Sequence, residues 1–136
     1  MTKFLRFLIL PAVGLFATAA DAPSLAALGQ LQPGKWTLTS REDGVPARSI
    51  CLGDPRVLLH LRQPVTASCS RFVITNDPNV STVHYTCPGS GSGRTTIRVE
   101  TPRLAQVNTQ GLVNGTPFDI SLEARRTGEC TSVSMR

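Results

Sequence analysis

The sequence is poor in the residues from which nucleic-acid surfaces and most catalytic sites are built. Only 5% of its 136 residues are aromatic, and it has two histidines, His60 and His84. The net charge is +5, but the basic residues form no stripe and no aromatic residues interleave with them. A nucleic-acid surface would need one or the other. We therefore expect no nucleic-acid partner and interpret the positive excess as a solvated surface.

A long hydrophobic run is missing as well. The apolar run at residues 7–16 is too short to span a bilayer, which requires about 20 residues. It follows Lys3 and Arg6 and precedes a group of small residues. This is the layout of a secretory signal peptide, and it predicts cleavage after Ala19 or Ala20.

The signal divides the chain into three parts. We predict a signal peptide at 1–20, an N-terminal segment at 21–32 and a single β domain at 33–136. The length allows only one domain. The mature protein is then exported and has no transmembrane segment.

Closely spaced cysteine pairs, which a structural zinc site would need, are also absent. An even number of cysteines in a short exported chain instead predicts two disulfides and no metal or cofactor. The spacing does not decide among the three pairings that four cysteines allow. We favour Cys51–Cys69 and Cys87–Cys130, because the first closes a local loop and the second ties the end of the chain to its middle.

The rest of the mature chain has the period-two alternation of β-strands, separated by turn signals such as Asp43-Gly44 and Asn114-Gly115. Seven segments show it: 35–41, 45–52, a stretch around Phe72 and Ile74, 82–87, 96–100, 104–113 and 118–125. Because no helical stretches lie between these segments, parallel βαβ units are excluded. We predict an all-β, mainly antiparallel fold: a small meander or half-barrel-like sheet of about seven strands.

One short helix interrupts this pattern. Asp54 offers an N-cap and Pro55 suits the first helical position, so we predict a helix from Pro55 to Arg62. Residues 21–32 are rich in alanine and leucine and predict a loose segment or a short helical turn. The glycine-rich stretch 88–93 predicts a flexible hairpin loop, since its sequence fits neither a phosphate loop nor an esterase elbow.

Catalytic candidates are few. An enzyme would need polar residues converging in a pocket, among them His84, Glu100, Asp119 or Glu123. Asp119 and Glu123 share one face of a strand, yet a charged outer sheet face explains them as well. His60 follows the apolar run of the predicted helix and can simply lie at its exposed end. We therefore assign no catalytic residue.

Four aromatic residues are candidates for lining a ligand pocket: Trp36, Phe72, Tyr85 and Phe118. If the concave face around them is open, the protein can hold a small ligand, as small barrels do. If that face is packed shut, they form an ordinary core.

Several short motifs together resemble an exported bacterial family called domain of unknown function 3617. They are Pro33-Gly34-Lys35-Trp36, Cys51-Leu52, Cys69, Cys87 and Gly128-Glu129-Cys130. The resemblance implies a location in the bacterial cell envelope, in the periplasm of a Gram-negative organism. It implies no activity and no catalytic residues.

These observations favour a non-enzymatic periplasmic module that binds a small apolar ligand or an envelope partner. The first alternative is a structural or stress-related envelope protein without a small ligand, which predicts a filled interior and an apolar patch outside. The second is a hydrolase-type enzyme.

Overall fold

Seven strands form one open antiparallel sheet, which confirms the predicted all-β fold. The computed structural model describes residues 24–64 and 67–131, together with Gly14, so the predicted signal peptide lies outside the described residues. The strands are β1 (Gly34–Ser40), β2 (Arg48–Leu52), β3 (Ser70–Asn76), β4 (Val80–Cys87), β5 (Gly91–Thr101), β6 (Leu104–Val113) and β7 (Thr116–Gly128). The second strand was predicted from residue 45, but β2 begins at Arg48. Pro46 lies before the ladder because a proline cannot donate a backbone hydrogen bond within it.

The order of the strands in the sheet is β2-β1-β7-β6-β5-β4-β3. Strands β3 to β7 form a meander, and the β1–β2 hairpin is added at β7. Strands β2 and β3 are consecutive in the chain but lie at opposite edges of the sheet. Their connection therefore crosses the sheet, and we call the face it crosses the covered face and the other the open face.

The connection carries the predicted short helix. It is a 3-10 turn at Pro55–His60, which we call the crossover turn, and the Asp54 side chain accepts a hydrogen bond from the backbone N–H of Arg56 at its start. Leu58 and Leu59 are buried against the sheet. The N-cap prediction is confirmed, and the turn is shorter than predicted.

Polar contacts fix the crossover turn and the residues after it to the sheet. The Thr95 hydroxyl donates to the Leu59 carbonyl at 2.6 Å. Gln63 is buried, donates to the Leu112 carbonyl at 3.1 Å and accepts from the Ser90 hydroxyl at 2.9 Å.

The N-terminal segment is part of the core. A 3-10 turn at Leu28–Gln30 confirms the short-turn alternative, and four side chains of the segment are buried: Leu25, Ala27, Leu28 and Leu31. The Asn76 side chain accepts from the backbone N–H of Ala26 and donates to the Ser24 carbonyl. The hydrophobic core thus lies between the covered face and these two turns.

The disulfide pairing that we favoured is wrong. The bonds are Cys51–Cys130 and Cys69–Cys87. Cys51 lies in β2 at one edge of the sheet, whereas Cys69 precedes β3 at the other edge, so these two cannot meet. Because β3 pairs with β4, Cys69 lies opposite Cys87, and Cys51 is left for the cysteine that follows β7.

The pairing with β4 and the Cys69–Cys87 disulfide set which face the first residues of β3 occupy. Arg71 pairs with Tyr85 and Val73 with Val83, so both point to the covered face, and the register of β3 shifts only after Val73. Phe72 points to the open face and is 70% exposed, although we expected it to share a concave face with the other aromatic candidates. Alternation alone shows that two faces differ, but it does not show which one is covered.

The glycine-rich stretch is less of a loop than predicted, since β5 already begins at Gly91. Gly93 pairs with Tyr85 on the covered face. A Cβ atom at Gly93 would lie 2.6 Å from the Tyr85 hydroxyl, so this glycine gives the tyrosine ring its place in the core.

Candidate functional site

The covered face is not covered completely. A cleft of about 420 Å³ lies between the β1–β2 connection and the residues that follow the crossover turn. Its floor is apolar and consists of Leu38 of β1 with Phe118, Ile120 and Leu122 of β7. Its walls are formed mainly by Val45, Pro46 and Leu61. We call this site the apolar cleft.

The alternation of β7 explains why the cleft exists. Phe118, Ile120, Leu122 and Ala124 all point to the covered face, as the sequence predicts. Ala124 is fully buried, but the three larger side chains before it are only half-buried. The two 3-10 turns pack elsewhere on the sheet, so the first part of β7 keeps apolar surface exposed to solvent.

Charged side chains stand around the rim of the apolar cleft: Arg48, Arg62, Glu42 and Asp119. Arg48 pairs with Leu38 in the ladder and therefore points to the covered face. The Arg62 guanidinium lies 5.9 Å from the centre of the Phe118 ring, within the range of a cation–π contact. Two cationic groups thus face an apolar floor from opposite walls.

The structure separates the four aromatic candidates. Trp36 is 0% and Tyr85 1% exposed, so both are core residues. Phe118 lies in the apolar cleft, and Phe72 lies on the open face. The covered face is therefore packed shut around Trp36 and Tyr85 and open around Phe118.

Other residues of the cleft were not singled out in the sequence. The clean alternation of β7 could have indicated Ile120 and Leu122. Val45 and Leu61 belong to two connections that meet only because the chain crosses the sheet, and no local pattern signals that meeting.

A second cleft of about 430 Å³ lies between the crossover turn and β3. It is lined by both polar and apolar groups, among them His60, whose ring meets Tyr85 edge-on with 6.0 Å between the ring centres. The Arg56 guanidinium holds the pKa of Asp54 below its usual value, so this carboxylate is already paired. Burial lowers the pKa of His60, and the nearby Asp54 partly opposes this effect.

Two of the enzyme candidates, His84 and Asp119, line one wide cleft of about 780 Å³ on the open face, but they do not approach each other. His84 in β4 and Asp119 in β7 lie in one row across the open face with two strands between them, roughly 14 Å apart at the usual strand spacing. Glu100 pairs with Arg98, and Glu123 pairs with Arg125. Among residues 24–64 and 67–131, no three acidic, histidine or cysteine side chains form a group that could hold a metal ion. Within the same ranges, no helix is long and apolar enough to cross a membrane.

Comparison with known proteins does not supply a function. No family model, curated protein or solved structure matches the chain. The resemblance to family 3617 therefore stays a prediction, and the function has to be argued from the geometry of the molecule.

The half-buried His60 predicts a pH dependence of stability. Burial lowers the pKa of His60 below its ordinary value of 6.5, so the unfolded chain binds a proton more readily than the folded one. The free energy of unfolding is therefore highest above the pKa that His60 has in the unfolded chain. It decreases as the pH falls below 6.5 towards the lowered pKa of the folded protein. We expect urea midpoints to decrease between about pH 7 and pH 5.

Two variants identify the group responsible. His60→Asn should flatten this part of the profile, whereas His84→Asn, at an exposed position, should leave it unchanged. Asp54 affects stability in a lower pH range. Because the pKa of Asp54 is lowered in the folded protein, its protonation destabilises the fold only below about pH 4. A profile that is unaffected by His60→Asn would contradict the assignment.

Proposed function

We propose that the protein is a non-enzymatic periplasmic module that binds a small apolar ligand in the apolar cleft. The observation that carries this proposal is the open, apolar floor of the cleft, formed by side chains of β1 and β7 that neither 3-10 turn covers. Sites for small molecules are mostly apolar clefts of about 300–1,000 Å³ with a few polar groups at their edges. A volume of about 420 Å³ is near the lower end of this range and suits a single small ligand.

The disulfides support the location. Two disulfides link all four cysteines of a short chain. Such bonds persist in oxidising compartments such as the bacterial periplasm and are rare in the cytosol. They agree with the export signal that residues 1–20 predict.

A second candidate is a structural envelope protein that contacts a partner through its surface. The observation in its favour is the exposed apolar group on the open face, formed by Phe72, Ile74 and Leu112. Exposed apolar patches on soluble proteins often mark contact surfaces. This candidate needs no ligand in the cleft, so the occupancy of the cleft separates the two functions.

The test is a native mass spectrum of the protein purified from the periplasm without denaturation. We expect a reproducible added mass on the mature chain. Ile120→Asp places a carboxylate on the floor of the cleft and should abolish the added mass, because covering this unpaired charge with a ligand would cost its hydration. Gln110→Asp, an equally drastic change at an exposed position of the open face, should retain it.

A bare chain in the wild-type spectrum would count against a tightly bound ligand. An added mass that survives Ile120→Asp would show that the ligand binds elsewhere. Thermal melts of both variants check that each is folded, since neither position is fully buried.

A further inference from the structure

The charges on the rim of the apolar cleft indicate what kind of ligand it takes, an inference that rests on the proposed function. Four arginines of the described residues have carboxylate partners: Arg56–Asp54, Arg98–Glu100, Arg125–Glu123 and Arg126–Glu129. Within residues 24–64 and 67–131, Arg48 and Arg62 form no ion pair. The partner of Arg62 is the Phe118 ring, which attracts its charge but does not neutralise it.

The two guanidinium groups come from separate parts of the chain. Arg48 is the first residue of β2, and Arg62 follows the crossover turn. Both line the apolar cleft, because Arg48 belongs to the β1–β2 hairpin and the crossing of the sheet brings Arg62 to the same site. Guanidinium groups are suited to carboxylates and phosphates because their N–H groups match the geometry of two oxygens.

The acidic residues of the rim only partly balance these cations. Asp119 lies between Phe118 and Ile120 in β7, so it alternates towards the open face. Glu42 lies in the exposed β1–β2 connection. The covered side of the rim therefore has an excess of positive charge next to an apolar floor.

We propose that the ligand is an anionic amphiphile. Its alkyl chain lies on Leu38, Ile120 and Leu122, and its head group lies between Arg48 and Arg62. The shared chemistry is an alkyl chain that ends in a carboxylate, as in a fatty acid, or in a phosphate, as in a lipid head group. The small volume of the cleft suits one chain.

Calorimetric titration of the purified protein with four probes of one chain length tests this proposal. The probes are decanoate, decyl phosphate, decanol and decyltrimethylammonium. We expect decanoate, decyl phosphate or both to bind at least about fivefold more tightly than decanol and decyltrimethylammonium. A gain of about fivefold is the upper end for a single exposed charge contact, and the rim has two arginines. The ratio of decanoate to decyl phosphate affinity then identifies the head group.

Variants connect this preference to the rim. Arg48→Gln and Arg62→Gln should each weaken anion binding about threefold and leave decanol binding almost unchanged. Glu42→Gln should strengthen anion binding, because it removes an opposing charge. Arg103→Gln is the matched control, since Arg103 is exposed and does not line the cleft.

The outcomes separate the two proposals. If decanol binds as tightly as the anions, or if the arginine variants weaken decanol equally, the cleft binds apolar ligands without reading a head group. The inference then fails and the proposed function stands. If none of the probes binds, both are overturned.

Discussion

Removal of the Cys51–Cys130 disulfide should destabilise the protein by about 4–5 kcal/mol, because its loop is long and a disulfide mainly restricts the unfolded chain. The bonded residues are separated by 79 positions, against 18 for Cys69–Cys87. In the chain-entropy model the shorter loop contributes only about 3 kcal/mol. Since a domain of this size has about 5–15 kcal/mol of stability, either loss is large and the first can be decisive.

The position of the bond adds to this effect. Cys51 lies in β2 at the edge of the sheet, and β1 separates it from β7. Lys35 of β1 pairs with Cys51 on one side and with Gly128 on the other, so the bond to Cys130 spans the beginning of β1. It therefore holds the β1–β2 hairpin, which also supplies walls of the apolar cleft, to the rest of the sheet.

Urea unfolding of two double variants checks this ranking. Cys51→Ala with Cys130→Ala should lower the free energy of unfolding more than Cys69→Ala with Cys87→Ala, and neither variant leaves an unpaired thiol. A larger loss in the second variant would contradict the argument from loop length. Peptide mapping of the non-reduced wild type checks the pairing itself.

Local patterns predicted the strands because each strand repeats its own signal. In β7 the alternation of Phe118 to Ala124 is undisturbed and its faces were predicted, although the strand runs from Thr116 to Gly128, beyond the predicted 118–125. The N-cap at Asp54 was equally readable, because a cap depends on residues that are adjacent in the chain. The seven strands and the crossover turn follow from such signals.

What the sequence did not predict depends on how distant segments meet. The favoured pairing of Cys51 with Cys69 assumed that neighbours in the chain are neighbours in space, but the intervening segment crosses the sheet. The same crossing brings Leu61 to Val45 and so builds the apolar cleft. In β3 both sets of alternating residues include apolar ones, so its face is set by the partner strand and by Cys69–Cys87.

This difference between local and distant information gives opposite expectations for two aromatic residues that the sequence treats alike. Trp36→Ala should cost about 3–5 kcal/mol, because Trp36 is fully buried and its loss leaves a cavity. Phe72→Ala should change stability by less than about 0.5 kcal/mol, because Phe72 is exposed on the open face. Unfolding followed by circular dichroism measures both, since the protein has no other tryptophan to report by fluorescence.

A third variant separates the two contributions of Trp36. Its indole N–H donates to the Gln32 carbonyl at 2.9 Å, and this bond fixes the N-terminal segment to β1. Trp36→Phe keeps most of the ring but removes the donor, so it should cost about 1–2 kcal/mol. If Trp36→Ala were nearly neutral for stability but abolished ligand binding, Trp36 would be the floor of a binding site. Its complete burial instead assigns it to the core, and a ligand then depends on Ile120 and Leu122, which remain open to solvent.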